Sequence, residues 1–370
     1  MNNRKRVLVF VPYPFGTMDA APKVRAYNIY KALNSLCDVV LVTGSTIGWL
    51  RSLLKKNRTD LPHLRSQSRF LNELYYVVDR ELISSLDGMY IEALASSLFL
   101  PDYRFMDSIK NNNVPIFPFI RDLYWKYPGT LKKTWKRDIW FNRCEDEMQW
   151  YLKNATGMLF PSADMADTVS FSDKYVLPPA GDPSRCLDPQ LPGKKVVTFV
   201  GGISPKMGID ILGKAMEIVI QEHPDAHCNI VGNGDTEIID RWCKKPYISH
   251  LPDRTYFDIP QILADSDLTV IPRPNIPHND FAIPVKLFDY MSSGRPVVAT
   301  NCPSMAQFIK SEQIGVITED NPESLAEGII YLFDNPSVAQ KYGDNALRSV
   351  RTKHSWRNRA ESLLEIMGKY

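Results

Sequence analysis

The 370-residue chain is too long for one ordinary hydrophobic core, so two α/β domains of ordinary size are expected. Hydrophobic residues make up 44% of it and charged residues 23%, a balance typical of a soluble globular protein. The net charge of +2 supplies no overall field that would attract nucleic acid, so we expect no nucleic-acid partner.

Cysteine and histidine usage argues against a metal centre. The six cysteines are scattered without a C-x-x-C pair, which also argues against a disulfide framework in a chain of this size. The six histidines show no metal-ligand spacing. The short apolar run near the N-terminus ends in Pro-Tyr-Pro and reads as a strand rather than a signal peptide. No apolar stretch reaches the length of a membrane span, so we expect a cytoplasmic protein.

In the N-terminal half, strand-like apolar runs alternate with helical periods. A run at 6–12 is followed by a helical period at 21–36 and by a second run at 38–44. The stretches "GMYIEAL" and "VPIFPFIRD" predict two more strands. This alternation predicts a parallel sheet with helices on both faces. A long helix rich in Trp, Lys and Arg is expected within 129–155.

Proline and glycine concentrate between residues 176 and 195, which marks a linker. We therefore place an N-terminal domain at 1–178, the linker at 179–194 and a C-terminal domain at 195–355. The second half restarts with strand, glycine turn, helix, strand and glycine turn, so both halves follow the same α/β logic.

Glycine-containing loops follow two predicted strands of the second half, in "VGGISPKMGID" and "VGNGD". Gly201 and Gly202 lie in the first loop and Gly232 in the second. Glycine lets backbone N–H groups approach a phosphate, and the helix expected near Met207 would add partial positive charge. Neither loop has the spacing of a dinucleotide motif or a P-loop, so an ordinary tight turn stays the alternative for each.

The stretch "NDFAIPVKLFDYMSSGRPVVAT" places a cation and a carboxylate on one helix face. Lys286 and Asp289 are three residues apart, and Arg273 ends the preceding predicted strand. Two cations from two strand ends would suit a diphosphate, since ligands bind at the carboxyl ends of parallel strands. The alternative is a solvated ion pair, although the flanking Pro284 and the buried "PVVAT" favour an interior position.

The first half offers two further candidates at strand ends. Arg25 lies in the first turns of the helix after the first strand, and Asp122 ends the strand in "VPIFPFIRD". If each half is a wound sheet, both residues would face a common inter-domain cleft. The alternatives are a surface position for Arg25 and a turn-capping role for Asp122.

The order of these segments resembles the retaining glycosyltransferases of family 4. The resemblance runs through "VVTFVGGISPKMGIDILGKAM", "NIVGNGD", "ADSDLTVIPRP" and "PVKLFDYMSSGRPVVATN", and it covers nearly the whole chain. It is loosest at 80–129 and 131–153. It implies the α/β GT-B fold, with two Rossmann-like parallel-sheet domains facing across a cleft. The N-terminal domain would bind acceptor, the C-terminal domain the nucleotide-sugar, and the helix at 356–370 would pack back on the first domain.

The resemblance assigns roles to individual residues. It implies that Lys286 reaches the donor diphosphate with Arg273 nearby, and that Asp289 replaces a glutamate that binds the ribose hydroxyls. Gly16 would close over the donor from the N-terminal domain. The expected donor-binding set is Gly16, Gly201, Gly202, Lys206, Gly232, Asp280, Phe281, Ala282, Ile283 and Asp289. The expected catalytic set is Asp122, Lys286 and Arg273, and Arg25 is the expected acceptor-binding residue.

The chain also departs from the family pattern. Phe281 stands where the family has the first glutamate of its paired motif, and the adjacent Asp280 is a candidate substitute. The family's two phosphate-binding cations would fall at Gly202 and Met207, with Lys206 one residue away. The sugar, the nucleotide base and the acceptor therefore stay open.

The expected reaction needs no cofactor and no metal. Cations and a helix N-terminus would stabilise charge on the leaving diphosphate, whose oxygen would take the acceptor proton if configuration is retained. Asp122 would act as base or orient the acceptor.

We expect a glycan or lipid-linked acceptor and a peripheral membrane contact. The expectation rests on the basic, aromatic segments 48–70 and 125–141. An amphipathic helix lining a cleft is the alternative for these segments. A degenerate partner subunit and a sugar-nucleotide epimerase are the alternative functions.

Overall fold

The computed structural model describes residues 4–13, 15–16, 18, 20–43, 69–71, 75–77, 80–93, 98, 100–127, 133–252 and 254–370. The chain divides into two compact units. The N-terminal unit comprises the described residues up to Pro178 together with Arg357–Tyr370, and the C-terminal unit is Pro179–Trp356. The basic segment 48–70, expected at a membrane, lies almost entirely outside the described residues.

The N-terminal unit contains a six-stranded parallel sheet of order β2-β1-β5-β6-β7-β8. Its strands are β1 (Arg6–Val11), β2 (Asp38–Thr43), β5 (Gly88–Glu92), β6 (Ile116–Phe119), β7 (Met158–Phe160) and β8 (Lys174–Val176). A separate antiparallel pair is formed by β3 (Arg69–Leu71) and β4 (Tyr75–Val77). The helices are α1 (Ala21–Leu36), α2 (Arg80–Ser84), α3 (Leu100–Lys110), α4 (Trp135–Asn154) and α5 (Ala163–Asp167).

Continuous apolar runs explain the N-terminal sheet. All five residues from Val7 to Val11 are fully buried, as expected for a strand covered by helices on both faces. The last residues of the chain belong to the same unit. The Lys5 ammonium donates to the Leu364 carbonyl at 3.2 Å, and the hydroxyls of Tyr370 and Tyr175 lie 2.8 Å apart.

The C-terminal unit contains a second six-stranded parallel sheet, of order β11-β10-β9-β12-β13-β14. Its strands are β9 (Val196–Val200), β10 (His227–Val231), β11 (Ile248–Leu251), β12 (Leu268–Ile271), β13 (Val297–Thr300) and β14 (Gly315–Thr318). The helices are α6 (Ile209–Glu222), α7 (Thr236–Trp242), α8 (Ile259–Ala264), α9 (Val285–Ser292), α10 (Pro303–Glu312), α11 (Pro322–Asp334) and α12 (Pro336–Thr352). The last helix, α13 (Trp356–Met367), begins where this unit ends.

The strand order of the C-terminal unit determines where a ligand would bind. Counted from its first strand, the order is 3-2-1-4-5-6, so the chain winds outward in both directions from β9 and β12. A crevice forms outside the carboxyl ends of these two strands. The two parallel sheets covered by helices confirm the predicted α/β fold class.

A buried arginine joins the linker segment to the C-terminal sheet. The Arg295 side chain is 1% exposed, and its Nε donates to the Leu263 carbonyl at 2.7 Å. Its Nη2 donates to the carbonyls of Ala264 at 3.1 Å and Asp188 at 2.7 Å. Nη1 donates to the Gln190 carbonyl at 3.0 Å. The guanidinium therefore ends α8 and anchors residues 188–190 at the same time.

We predict that Arg295→Met destabilises the C-terminal unit. The substitution keeps the apolar stem but leaves several buried carbonyls without a hydrogen-bond donor. We expect a cost of about 3 kcal/mol in the free energy of unfolding. Chemical denaturation measures this cost, with the exposed Arg351→Met as the matched control. An Arg295→Met protein as stable as that control would contradict the anchoring role.

Candidate donor site in the C-terminal unit

Glycines let three loops meet at the carboxyl ends of β9, β10 and β12. Gly232 has a φ of 132°, and a Cβ there would lie 2.3 Å from the Gly201 carbonyl oxygen. Gly208 has a φ of 75°, and a Cβ there would lie 1.5 Å from the Pro272 carbonyl oxygen. Both contacts exclude any side chain. A short 3-10 turn, Pro205–Met207, precedes Gly208, so α6 begins two residues later than expected.

Lys286 lies close to the first of these loops. Its ammonium is 3.9 Å from the centroid of the Phe199 ring at the end of β9, and a Cβ on Gly201 would lie 2.4 Å from Nζ. Helix α9 is held beside β9 because the Val200 amide donates to the Tyr290 hydroxyl at 2.9 Å. Burial, reinforced by Arg273, places the pKa of Lys286 well below its usual value, although Asp289 opposes the shift. The surroundings therefore disfavour the charged form of this lysine, and an anion bound beside it would favour that form.

Further basic groups surround this lysine. Arg273 follows β12 and lowers the pKa of both Lys286 and His278. Burial is the main cause for His278, whose pKa falls to about 4, with Arg273 and Lys206 adding to the effect. The His278 imidazole is therefore neutral at pH 7. Lys206, Arg273 and Lys286 concentrate positive charge at the switch point of the sheet, which suits an anionic ligand.

The segment before α9 forms a compact turn. Phe281 is 3% exposed and packs edge-on against His278, with ring centroids 5.9 Å apart and planes at 83°. Burial raises the pKa of the Asp280 carboxyl, and the Asp280 carbonyl accepts from the Ser304 amide at 2.9 Å. The Ala282 amide donates within the turn, and Ile283 packs against the apolar core. Donor contacts by these four residues, and by Gly202, stay predictions.

Asp289 pairs with a residue that the sequence analysis missed. Its Oδ1 lies 2.8 Å from Nη1 of Arg185, which belongs to the 3-10 turn Pro183–Arg185 in the linker segment. The same guanidinium donates to the Tyr256 carbonyl at 2.6 Å and lies 3.6 Å from the Tyr256 ring centroid. Burial raises the pKa of Asp289 to about 6, against the lowering effects of Arg185 and Lys286. The solvated Lys286–Asp289 ion pair considered above is therefore not the principal contact of Asp289.

Arg25 is a core residue of the N-terminal unit. Its side chain is 1% exposed, and its Nε lies 3.2 Å from the Glu92 carboxylate. Its Nη2 donates to the Tyr90 hydroxyl at 3.2 Å, and the guanidinium carbon lies 3.4 Å from the Phe119 ring centroid. The surface alternative for Arg25 is wrong, because two neighbouring strands, β5 and β6, supply partners for the charge. Acceptor binding by Arg25 stays a prediction.

The other N-terminal candidates lie at strand ends, as expected. Asp122 follows β6 and is largely buried, with its Oδ2 3.9 Å from Nε of Arg121. Gly16 follows β1 and has a φ of 96°, which favours glycine. Their convergence with the C-terminal residues on one cleft stays a prediction.

The described part of the chain offers neither a metal-binding cluster nor a membrane-spanning helix. No group of three or more His, Cys, Asp or Glu residues there is arranged to hold a metal ion. None of the helices described there combines the length and apolar character needed to cross a membrane.

Known structures share this fold. A glycosyltransferase from Rickettsia africae superposes with a TM-score of 0.66 at 16% identity, covering 99% of this chain and 98% of that one. The Anabaena protein Alr3699/HepE, solved with UDP and glucose, gives a TM-score of 0.69 at 15% identity and covers 98% and 99%. The paired parallel sheets and these neighbours define a GT-B protein.

Sequence comparisons relate the C-terminal unit to a known family. Residues 194–335 match the family model "Glycosyl transferases group 1". Spore coat protein SA of Bacillus subtilis is 28% identical in an alignment of 200 residues, and the match covers 48% of this chain and 50% of that protein. Phosphatidyl-myo-inositol mannosyltransferase of Mycobacterium tuberculosis is 26% identical over 179 residues, 46% of each protein. The chain thus spans about half the length of the curated relatives it matches.

We predict that His278 makes the protein less stable in acid. The folded-state pKa of about 4 lies below the ordinary 6.5, so the unfolded chain binds more protons between these values. The contribution falls as the pH drops from 6.5 towards 4, by up to about 3 kcal/mol. The difference in unfolding free energy between wild type and His278→Gln should therefore shrink on acidification.

Denaturation of both proteins at several pH values tests this prediction. His250→Gln, which alters another histidine of the same unit, is the control. A difference between wild type and His278→Gln that does not vary with pH would argue against a buried neutral imidazole.

Proposed function

We propose that the chain is a metal-independent glycosyltransferase. It moves a hexose or related sugar from a nucleotide-diphosphate sugar to a glycan or glycolipid acceptor, with retention of anomeric configuration, in cell-surface polysaccharide or glycolipid synthesis. The observation that carries the proposal is the gathering of Lys206, Arg273 and Lys286 at the β9–β12 switch point. The UDP and glucose bound to the Anabaena neighbour and the lipid named for the mycobacterial relative agree with it.

The charge requirement of the reaction explains these residues. Cleavage of the sugar–phosphate bond leaves negative charge on the β-phosphate, and preorganised cations stabilise it most in poorly hydrated surroundings. Lys286 and Arg273 supply that charge, with Lys206 and the backbone amides of Gly201 and Gly202 beside them. The acceptor oxygen forms its bond to the anomeric carbon on the face from which the phosphate oxygen departs, so configuration is retained, and the departing phosphate oxygen takes the acceptor proton unless Asp122 does so.

Other residues have supporting roles in this proposal. Asp289 accepts a hydrogen bond from the ribose, and Gly232 and the turn from Asp280 to Ile283 line the donor. Asp122 orients the acceptor hydroxyl or takes its proton. Gly16 and Arg25 contribute from the N-terminal unit. Arg25 does so from the core, where it pairs with Glu92 at the end of β5.

A partner subunit without catalytic activity is the second candidate. The burial of Phe281 favours it, because no carboxylate occupies the position of the family's first glutamate. A subunit that has lost the donor site would bind no nucleotide-sugar. Donor binding therefore separates the two candidates.

We predict that Lys286→Ala lowers the rate of sugar transfer by more than about tenfold, the scale for losing one charge-stabilising donor. A thermal-shift panel of UDP-, GDP-, ADP- and dTDP-sugars first identifies the donor, because a ligand of the folded state raises the unfolding temperature. Transfer is then measured with that donor. Lys214→Ala, which removes an exposed lysine of α6, is the control.

Two results would argue against this proposal. If no sugar nucleotide stabilises the wild type, the donor site is wrong and the partner-subunit candidate gains support. If a folded Lys286→Ala protein transfers sugar at the wild-type rate, the lysine has no part in the reaction.

We further propose that the start of α4 contacts a membrane that carries the acceptor. Trp135 and Ile139 are 69% and 46% exposed and lie on one helix face, four residues apart. Lys133 and Lys136 are exposed beside them. Aromatic and aliphatic side chains flanked by lysines are typical of surfaces that bind anionic lipids.

We predict that the double variant Trp135→Ser and Ile139→Ser binds anionic vesicles at least about fivefold more weakly, because it loses the apolar part of the contact. Flotation with phosphatidylglycerol–phosphatidylcholine vesicles measures binding. Leu187→Ser, which removes an exposed apolar side chain of the C-terminal unit, is the control. Equal flotation of all three proteins would contradict this contact surface.

A further inference from the structure

The contact between Arg185 and Asp289 carries an inference about nucleotide binding. The two residues are 104 positions apart, yet Nη1 and Oδ1 are separated by 2.8 Å. Both side chains are largely buried, at 11% and 19% exposure. A charge-assisted pair with this geometry is among the stronger hydrogen bonds in proteins.

The turn that carries Arg185 is anchored to the helix that carries Asp289. The Asp182 amide donates to the Ser292 hydroxyl at 2.9 Å, and that hydroxyl donates to the Phe288 carbonyl within α9. The Asp182 carboxylate accepts from the amide of Ser184 at 3.0 Å, which stabilises the turn. The hydrogen bonds of its turn therefore hold Arg185 beside Asp289.

Tyr256 restrains the guanidinium from the opposite side. Its carbonyl accepts from Nη2 at 2.6 Å, and its ring lies 3.6 Å from the guanidinium carbon. Of the two carboxylate oxygens of Asp289, Oδ1 is engaged by Arg185. Within the described residues, Oδ2 makes no hydrogen bond and is left for a ligand.

We propose that Arg185 is a positioning residue for the nucleotide: it orients Asp289 and keeps it charged, so that Oδ2 accepts from a ribose hydroxyl. This inference rests on the proposed function. It assigns Arg185 an indirect role, since the guanidinium acts on the ligand only through the carboxylate.

The role has a pH signature that a purely structural anchor would lack. Asp289 is faced by Arg185 from the turn and by Lys286 and Tyr290 on its own helix, and Arg273 acts on Lys286. Burial raises the pKa of Asp289 to about 6 although Arg185 lowers it, so removal of Arg185 should raise it further. A carboxylate that accepts from the ligand binds only when deprotonated. Affinity is therefore lost as the pH falls through this pKa, and the midpoint moves upward without Arg185.

The experiment measures the affinity for the nucleoside diphosphate of the donor identified by the panel, by calorimetry from about pH 5.5 to about pH 9. We expect Arg185→Gln to bind about tenfold more weakly than wild type at pH 7 and within about threefold of it at pH 9. Arg185→Lys should restore most of the affinity at pH 7, because it returns the cation.

Asp289→Asn separates an indirect role from a direct one. In that background Arg185→Gln should cause no further loss, since the two substitutions act on the same contact. If Arg185→Gln does not fold, Tyr256→Leu, which removes the ring beneath the guanidinium, should move the midpoint upward by a smaller amount.

Three outcomes would overturn the inference: a loss that is equal at all pH values, a loss that persists in Asp289→Asn, or no loss at all. A wild type that binds no nucleoside diphosphate would instead overturn the proposed function on which the inference rests.

Discussion

The site depends on a lysine ammonium held against an aromatic ring in a space that only glycine leaves open. Nζ of Lys286 lies over Phe199, and any side chain at Gly201 would occupy the ammonium's position. A ring face attracts a cation but does not replace its water, so the charge is incompletely stabilised and the pKa falls. A bound diphosphate would supply the missing stabilisation. The site is thus organised around basic groups whose charge an anionic ligand would stabilise.

The backbone geometry needed for this arrangement follows from the sheet topology. The switch point brings the ends of β9 and β12 together, and the loops that leave them touch only because Gly208 admits the Pro272 carbonyl. The hydrogen bond from the Val200 amide to the Tyr290 hydroxyl then fixes the position of α9 relative to β9. Lys286 is carried to the strand ends by contacts that belong to the core, so the position of the cation is as stable as the fold.

Sequence patterns predicted the structural features that depend on residues close together in the chain. Buried apolar runs indicate the parallel strands, and the spacing of Lys286 and Asp289 places both on one helix face. The partner of Asp289 could not be found in this way, because Arg185 reaches it through a turn that is remote in sequence. The same limit applies to Arg25, whose carboxylate, hydroxyl and aromatic partners come from two strands that are remote from it in sequence. His278 and Phe281 are only three residues apart in sequence, but only their packing reveals a neutral imidazole beside two cations.

Three arginines show how the surroundings of one side-chain type decide what it can do. Arg295 is surrounded by neutral carbonyls, and burial lowers its pKa. For Arg25, burial also acts to lower the pKa, but Tyr90 and Glu92 outweigh it and the charge is satisfied within the core. Arg185 differs because it engages only one oxygen of its carboxylate partner. A buried charge whose partners are fully engaged within the protein suits a structural role. A charged pair with one atom left unengaged keeps a group through which the protein can respond to a ligand.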